Sequence, residues 1–191
     1  MKQVAELYGL VLMGGHSRRM GRDKSELEYH GVPQREYVAD LLSGLVGMTY
    51  LSGRGEQLEG LGSSYPFLAD SYMDLGPLGG ILTAFQVHPD KAWLVMAVDM
   101  PKMDASGLEK LVRARRPEKL ATAYLNQVTQ KPEPLAAIWE PAIFPVLLAF
   151  LAENQLSPQK ILMDLDIQLV PVESSEKLLN VNKPSDFGFL F

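Results

Sequence analysis

The residues best equipped for chemistry cluster near the amino terminus, in the stretch Leu10 to Lys24, LVLMGGHSRRMGRDK. Arg18, Arg19, Arg22 and Lys24 lie within seven residues. Guanidinium and ammonium groups so concentrated supply charge-assisted donors suited to phosphate oxygens. The adjacent Gly14 and Gly15 allow a sharp turn and bring backbone N–H groups close to a ligand. The pattern points to a phosphate-rich small molecule, although a Gly-Gly turn with solvated basic residues has the same composition. It is not a Walker A loop: Gly15 is followed by five residues before Gly21, and Arg22 stands where that motif needs Lys. The glycine spacing of the dinucleotide fingerprint is also absent.

A second chemical feature is Asp99 in Asp99-Met100-Pro101, after the apolar run Trp93 to Val98. A carboxylate at the end of a buried strand costs desolvation energy unless it is paired or bound to a cation. Its hard oxygens suit Mg²⁺; taken alone, such an Asp caps a following turn equally well. Ser52 and Asp70 each follow an apolar run. Asn180 and Asn182, in Asn180-Val181-Asn182, offer both donors and acceptors. His16, His30 and His88 have no metal-like spacing. Ser17 lacks the strand and Gly-x-Ser-x-Gly elbow of a hydrolase.

The elements that position these groups alternate. Leu7 to Met13 reads as a buried strand ended by glycines. Val38, Leu41, Leu42 and Leu45 predict a helix over Gln34 to Val46. Further strands are expected at Met48–Leu51 and Tyr65–Ala69, with a short polar helix between them at Glu56–Gly62. Gly76-Pro77 forces a turn, and Gly79-Gly80 opens a helix over Ile81–Val87. Asp104 is expected to cap a helix ending near Arg115. Strands follow at Leu120–Tyr124 and from Pro134, with a hairpin or lid over Asn126–Pro132. A Leu- and Phe-rich helix at Ala142–Glu153, a helix capped by Ser157-Pro158 and a strand at Gln168–Val172 complete the reading. This order predicts a parallel sheet with helices on both faces. Ligands of such sheets bind beyond the carboxyl ends of the strands, where Ser52, Asp70 and Asp99 would lie.

The stretch Leu12 to Lys24 resembles the signature of the MobA-like nucleotidyltransferases, the molybdenum cofactor guanylyltransferase family. It matches at Gly14, Gly15, Ser17, Arg19, Met20, Gly21, Asp23 and Lys24 and departs at Met13, where a small residue is usual. Gly76-Pro77-Leu78, Asp99-Met100-Pro101, Pro134-Leu135 and Asn180-Val181-Asn182 resemble other family segments in the same order, with Lys183 replacing a Thr. The resemblance implies one α/β domain over residues 1–191, a three-layer α/β/α fold with a mostly parallel, Rossmann-like sheet of the nucleotide-diphospho-sugar transferase type. It implies transfer of GMP from GTP to the terminal phosphate of molybdenum-molybdopterin, with release of pyrophosphate. Leu12, Met13, Gly14, Gly15, Lys24, Ser52, Asp70 and Asp99 would bind GTP. Arg19, Lys24 and Asp99 would be catalytic, Asp99 would hold Mg²⁺, and Asn180 and Asn182 would face the molybdopterin. Other proteins of molybdenum cofactor biosynthesis or molybdoenzyme maturation are the partners it suggests. The alternatives are a cytidylyltransferase, a sugar-1-phosphate nucleotidyltransferase, and a nucleotide-binding module without turnover.

Composition sets the remaining bounds. A chain of 191 residues, 47% hydrophobic and 21% charged, suits one well-buried domain. A net charge of −5 and a pI near 5.2 argue against nucleic-acid binding. With no cysteine there is neither a disulfide framework nor a thiolate metal site. No signal peptide or membrane span is read, and the cytoplasm is the expected location.

Overall fold

The computed structural model describes residues 4–14, 24–58 and 61–181. Gly15, His16, Ser17, Arg18, Arg19, Met20, Gly21, Arg22, Asp23 and Asn182 lie outside the described residues.

Seven strands form a single sheet in the order β3-β2-β1-β4-β6-β5-β7. They are β1 Leu7–Leu12, β2 Thr49–Gly53, β3 Phe67–Ala69, β4 Ala92–Ala97, β5 Ala121–Asn126, β6 Lys131–Trp139 and β7 Gln168–Pro171. Only β6 pairs antiparallel, with β4 on one side and β5 on the other; β7 returns parallel to β5. The sheet is therefore mostly parallel, with one reversed strand in its second half. The helices are α1 Gln34–Ser43, α2 Gly55–Leu58, α3 Pro77–Val87, α4 Ala105–Arg113, α5 Phe144–Ala152 and α6 Pro158–Met163.

Both faces of the sheet are covered, as β1 itself shows. A Cβ built on Gly9 would meet Leu42 of α1, whereas one built on Gly80 of α3 would meet Leu12. Gly9 and Leu12 are three apart on a strand and so point to opposite faces. α1 thus lies on one face and α3 on the other; α1 also touches α4, and α3 touches α5. Every residue of β4 is buried, the pattern of a strand covered on both sides.

Several boundaries differ from the sequence-based expectation. Helix α1 ends at Ser43, before the expected Val46, and β2 runs on to Gly53. Helix α3 begins at Pro77, because Gly76 takes φ +56° at the N-cap and proline suits the first helical position. Asp104 does cap α4, accepting from the Gly107 N–H at 2.8 Å, and the Ser157 hydroxyl caps α6. The largest difference is β6, which starts at Lys131 and places Pro134 inside the strand. The ladder to β5 absorbs this with a register shift between Ala123 and Tyr124. The expected hairpin joins β5 to β6; the Asn126 side chain accepts from the Val128 and Thr129 N–H groups. A one-turn 3₁₀ segment at Ser175–Leu178 was not anticipated. Among the described residues, no helix is long and apolar enough to cross a membrane.

One buried ion pair ties the far end of the fold together. Arg115 grips Glu140 through two hydrogen bonds of 2.7 and 2.9 Å and donates to the Ala5 carbonyl. The Glu140 side chain is 2% exposed. Truncating Arg115 strands that carboxylate in a low-dielectric site. Arg115→Ala is expected to lower stability by about 3–5 kcal/mol, read as a drop in the urea midpoint at unchanged slope.

Candidate active site

Strand β1 ends at Leu12 and is held between its neighbours past its last residue. The Met13 N–H donates to the Ser52 carbonyl at 3.0 Å, and the Val98 N–H donates to the Leu12 carbonyl at 3.2 Å. Gly14 then turns out of the sheet with φ +88°, and a Cβ there would meet no described residue within 4 Å. An L-residue is strained there, so the turn itself requires glycine. Met13, the departure from the family's small residue, is buried, and its methyl group packs over Gly53. Its bulk is accommodated in the core, away from the exposed Gly14 turn.

Next to it, the buried Ser52 hydroxyl donates to Asp70 Oδ1 at 2.7 Å. The Asp70 N–H donates to the Gly53 carbonyl, fixing this loop to the end of β2. Burial raises the Asp70 carboxyl above its ordinary value, opposed by the Ser52 hydrogen bond and the Arg54 charge. Helix α3 approaches the pair through Gly80: a Cβ there would lie 2.6 Å from Ser52 Oγ and 2.6 Å from Leu12 Cδ2. Gly80 is what lets the helix start come this close.

Across from this group, β4 carries Asp99 just past its end. Asp99 Oδ2 lies 3.7 Å from Lys24 Nζ, with side chains 22% and 16% exposed. Asp99 Oδ1 is buried and has no hydrogen-bond partner among the described residues. Burial pushes the carboxyl up and the Lys24 charge pulls it partly back. The Val181 N–H donates to the Asp99 carbonyl at 2.8 Å, which sets Asn180 beside this turn. Asn180 Oδ1 is likewise buried without a hydrogen bond among the described residues. Orphaned buried oxygens are rare in folded proteins and call for a missing partner.

The structure thus brings Leu12, Met13, Gly14, Lys24, Ser52, Asp70, Asp99 and Asn180 to the carboxyl edge of the sheet. The edge includes the point between β1 and β4 where the order of parallel strands reverses, the usual ligand crevice of such sheets. His30 and His88 are engaged elsewhere, with the Pro101 carbonyl and the Tyr50 hydroxyl. One polar residue of this edge was missed from the sequence: Glu133, near the start of β6. It is 7% exposed, and burial, with the Asp99 charge adding to it, raises its carboxyl. The signal was a charged residue between Pro132 and Pro134 at the head of an apolar run.

Residues 9–168 match the MobA-like NTP transferase domain. The chain belongs to this family. A relative from Opitutus terrae, a probable molybdenum cofactor guanylyltransferase, is 31% identical over 94% of this chain and 92% of its own length. A molybdenum cofactor biosynthesis bifunctional protein from Synechocystis is 37% identical over 95% of this chain; the chain spans 53% of that protein. Among solved structures, the molybdopterin-guanine dinucleotide biosynthesis protein A from Archaeoglobus fulgidus superposes with TM-score 0.79 at 25% identity, covering 96% of both chains. The MobA-like chain therefore shares the fold of that molybdopterin-guanine dinucleotide biosynthesis protein.

Proposed function

We propose that this MobA-like chain transfers GMP from GTP to the terminal phosphate of molybdenum-molybdopterin and releases pyrophosphate. The observation that carries the reading is the Lys24–Asp99 pair at the β1/β4 crevice, with Asp99 Oδ1 buried and without a hydrogen-bond partner among the described residues. An anionic oxygen held out of water with one face unmatched fits a hard divalent cation, Mg²⁺ in this reading. When bound, Mg²⁺ supplies charge neutralisation on phosphate oxygens. Asp99 is the residue that would hold it, with Asn180, whose Oδ1 is also buried, in the segment bonded to the Asp99 turn.

The nucleophile is a phosphate oxygen, already anionic, so no strong general base is needed. It attacks the α-phosphorus of GTP, the bond to the bridging oxygen of the β-phosphate breaks, and its electron pair leaves with pyrophosphate. The protein's work is positioning and electrostatic stabilisation. Lys24 neutralises the triphosphate, the Gly14 turn and Gly15 admit it close to backbone N–H groups, and Arg19 adds a planar donor. Ser52 and Asp70, locked together, face the nucleoside. Asn180 and Asn182 face the pterin.

Nucleotide binding gives the direct test. GTP with Mg²⁺ is expected to raise the thermal midpoint, with smaller shifts for CTP, ATP and UTP and a loss of selectivity without metal. At 100 times its dissociation constant a ligand of the native state adds about 2.7 kcal/mol of stability. GTP-dependent pyrophosphate release on adding molybdopterin would complete the assignment. A shift selective for CTP would transfer the reading to a cytidylyltransferase, and no turnover with either nucleotide would remove it.

A further inference from the structure

The crevice at Asp99 has two sides. One, formed by β1, β2 and α3, carries Gly14, Ser52 and Asp70. The other is the start of β6, and it has a defined shape. The ladder between β4 and β6 runs from Trp93 opposite Trp139 to Met96 opposite Ala136. On its other side β6 stays paired with β5 as far as Lys131, opposite Asn126. Residues 131–133 therefore have a strand on one side only, 134 and 135 fall in the irregularity and pair with neither neighbour, and the free side lies toward the turn after β4 that bears Asp99. Pro132 and Pro134 have no N–H to offer, so the segment is poorly suited to extend the β4 ladder. Because β6 is antiparallel, its start lies at the same edge as the ends of the parallel strands.

Glu133 sits in this opening. Its Oε1 accepts the Leu135 N–H at 3.1 Å, and it makes no other side-chain hydrogen bond or ion pair among the described residues. A carboxylate so buried, with one hydrogen bond and a second carboxylate nearby, costs free energy that a structural role does not return. Carboxylate oxygens offer about four acceptor positions, so most of its capacity is unused. A phosphate is the wrong partner for Glu133, whose charge, unlike that of Asp99 beside Lys24, has no ion-pair partner among the described residues. A planar heterocycle with adjacent N–H donors is the right one: it pairs with a carboxylate through two parallel charge-assisted bonds.

We propose that Glu133 is a specificity-determining residue for the acceptor, receiving the N–H donors of its nitrogen heterocycle while the acceptor phosphate is turned toward Lys24 and Asp99. The assignment rests on the reading above that the acceptor is a phosphorylated pterin, whose amino-pyrimidinone edge carries such donors. The negative charge of Glu133 also sets the acceptor's direction. A molecule entering phosphate-first on the β6 side would meet repulsion, and one entering with its ring there would not.

The test uses the full chain with GTP and Mg²⁺, and molybdopterin released from a denatured molybdoenzyme as acceptor, followed by pyrophosphate release. Glu133→Gln keeps the volume but replaces one acceptor oxygen with a donor. It is expected to raise the acceptor KM about ten- to a hundredfold, the worth of a hydrogen bond to a charged group, with kcat within about threefold of wild type. The GTP-induced thermal shift should be unchanged, which also shows that the variant is folded, and Glu133→Asp should recover part of the loss. An unchanged acceptor KM in Glu133→Gln overturns the proposal. So does an altered Mg²⁺ requirement at unchanged acceptor KM, which would make Glu133 a cation ligand. Wild-type protein that binds GTP but turns over no molybdopterin is a different failure: it removes the acceptor, and Glu133's role with it.

Discussion

Asp99→Asn is expected to stabilise the ligand-free protein while removing most of its Mg²⁺-dependent turnover. The two effects have one cause. Burial raises the Asp99 carboxyl above its ordinary value of 3.8, despite the Lys24 charge. The folded state therefore prefers the protonated acid. The stability contributed by that preference is fully present below the unfolded value and is lost as pH rises through the folded one. At neutral pH the protein holds an ionised carboxylate at a cost, as sites built to bind a cation do. Asparagine is neutral throughout, so melting temperatures should rise at pH 7 and the decline between the two pKa values should flatten. Turnover should fall about a thousandfold, since charge neutralisation by a bound metal is worth several kcal/mol and each 1.36 kcal/mol is tenfold in rate. Melting curves over a pH series and pyrophosphate release at saturating Mg²⁺ read both. Near-wild-type turnover would remove Asp99 from the chemistry. A lower melting temperature would mean that the ion pair to Lys24 outweighs burial.

How far the sequence exposes this arrangement depends on the range of the interaction involved. The β4 strand and the position of Asp99 past its end follow from a local apolar run closed by Asp-Met-Pro. The covering of both faces follows from the alternation of strands and helices. The approach of Lys24 to Asp99 is not local: it joins two segments far apart in the chain, a relation that periodicity cannot supply. The Ser52–Asp70 hydrogen bond depends in the same way on β2 pairing with β3. The sequence marks Pro134 as a strand start, so the reversed strand is expected shorter than it is. Tertiary pairing with β5 overrides that local signal, carrying the strand back through Pro132 to Lys131. Glu133 falls between the expected lid, Asn126–Pro132, and the expected strand start at Pro134, so the sequence gives no cause to ask how it is buried. Arg19, Gly15 and Asn182 rest on the family resemblance and lie outside the described residues.

Lys24→Ala carries the second large effect, and its value lies in separating two roles of one ammonium group. In the proposed reaction Lys24 faces the triphosphate, where charge develops on the departing pyrophosphate. Removing a single preorganised donor of this kind costs about 10²–10³ in rate, so kcat/KM for GTP should fall by that factor. In the ligand-free protein the same side chain is the cation at 3.7 Å from Asp99 Oδ2. Its loss removes the cation that opposes burial of Asp99 among the described residues, so the carboxyl should rise further and stability at neutral pH should fall. Lys24→Arg is expected to restore the stability better than the rate, because a planar fork does not reproduce a compact point charge. The double variant Lys24→Ala/Asp99→Asn distinguishes the roles. If the pair is coupled as the geometry indicates, its melting temperature should exceed that of Lys24→Ala, since the stranded charge is gone, while its turnover stays at the level of the weaker single variant. Unchanged GTP affinity in Lys24→Ala would detach the loop from the triphosphate. Strict additivity of the two melting shifts would show that the ammonium group and the carboxylate do not act on each other.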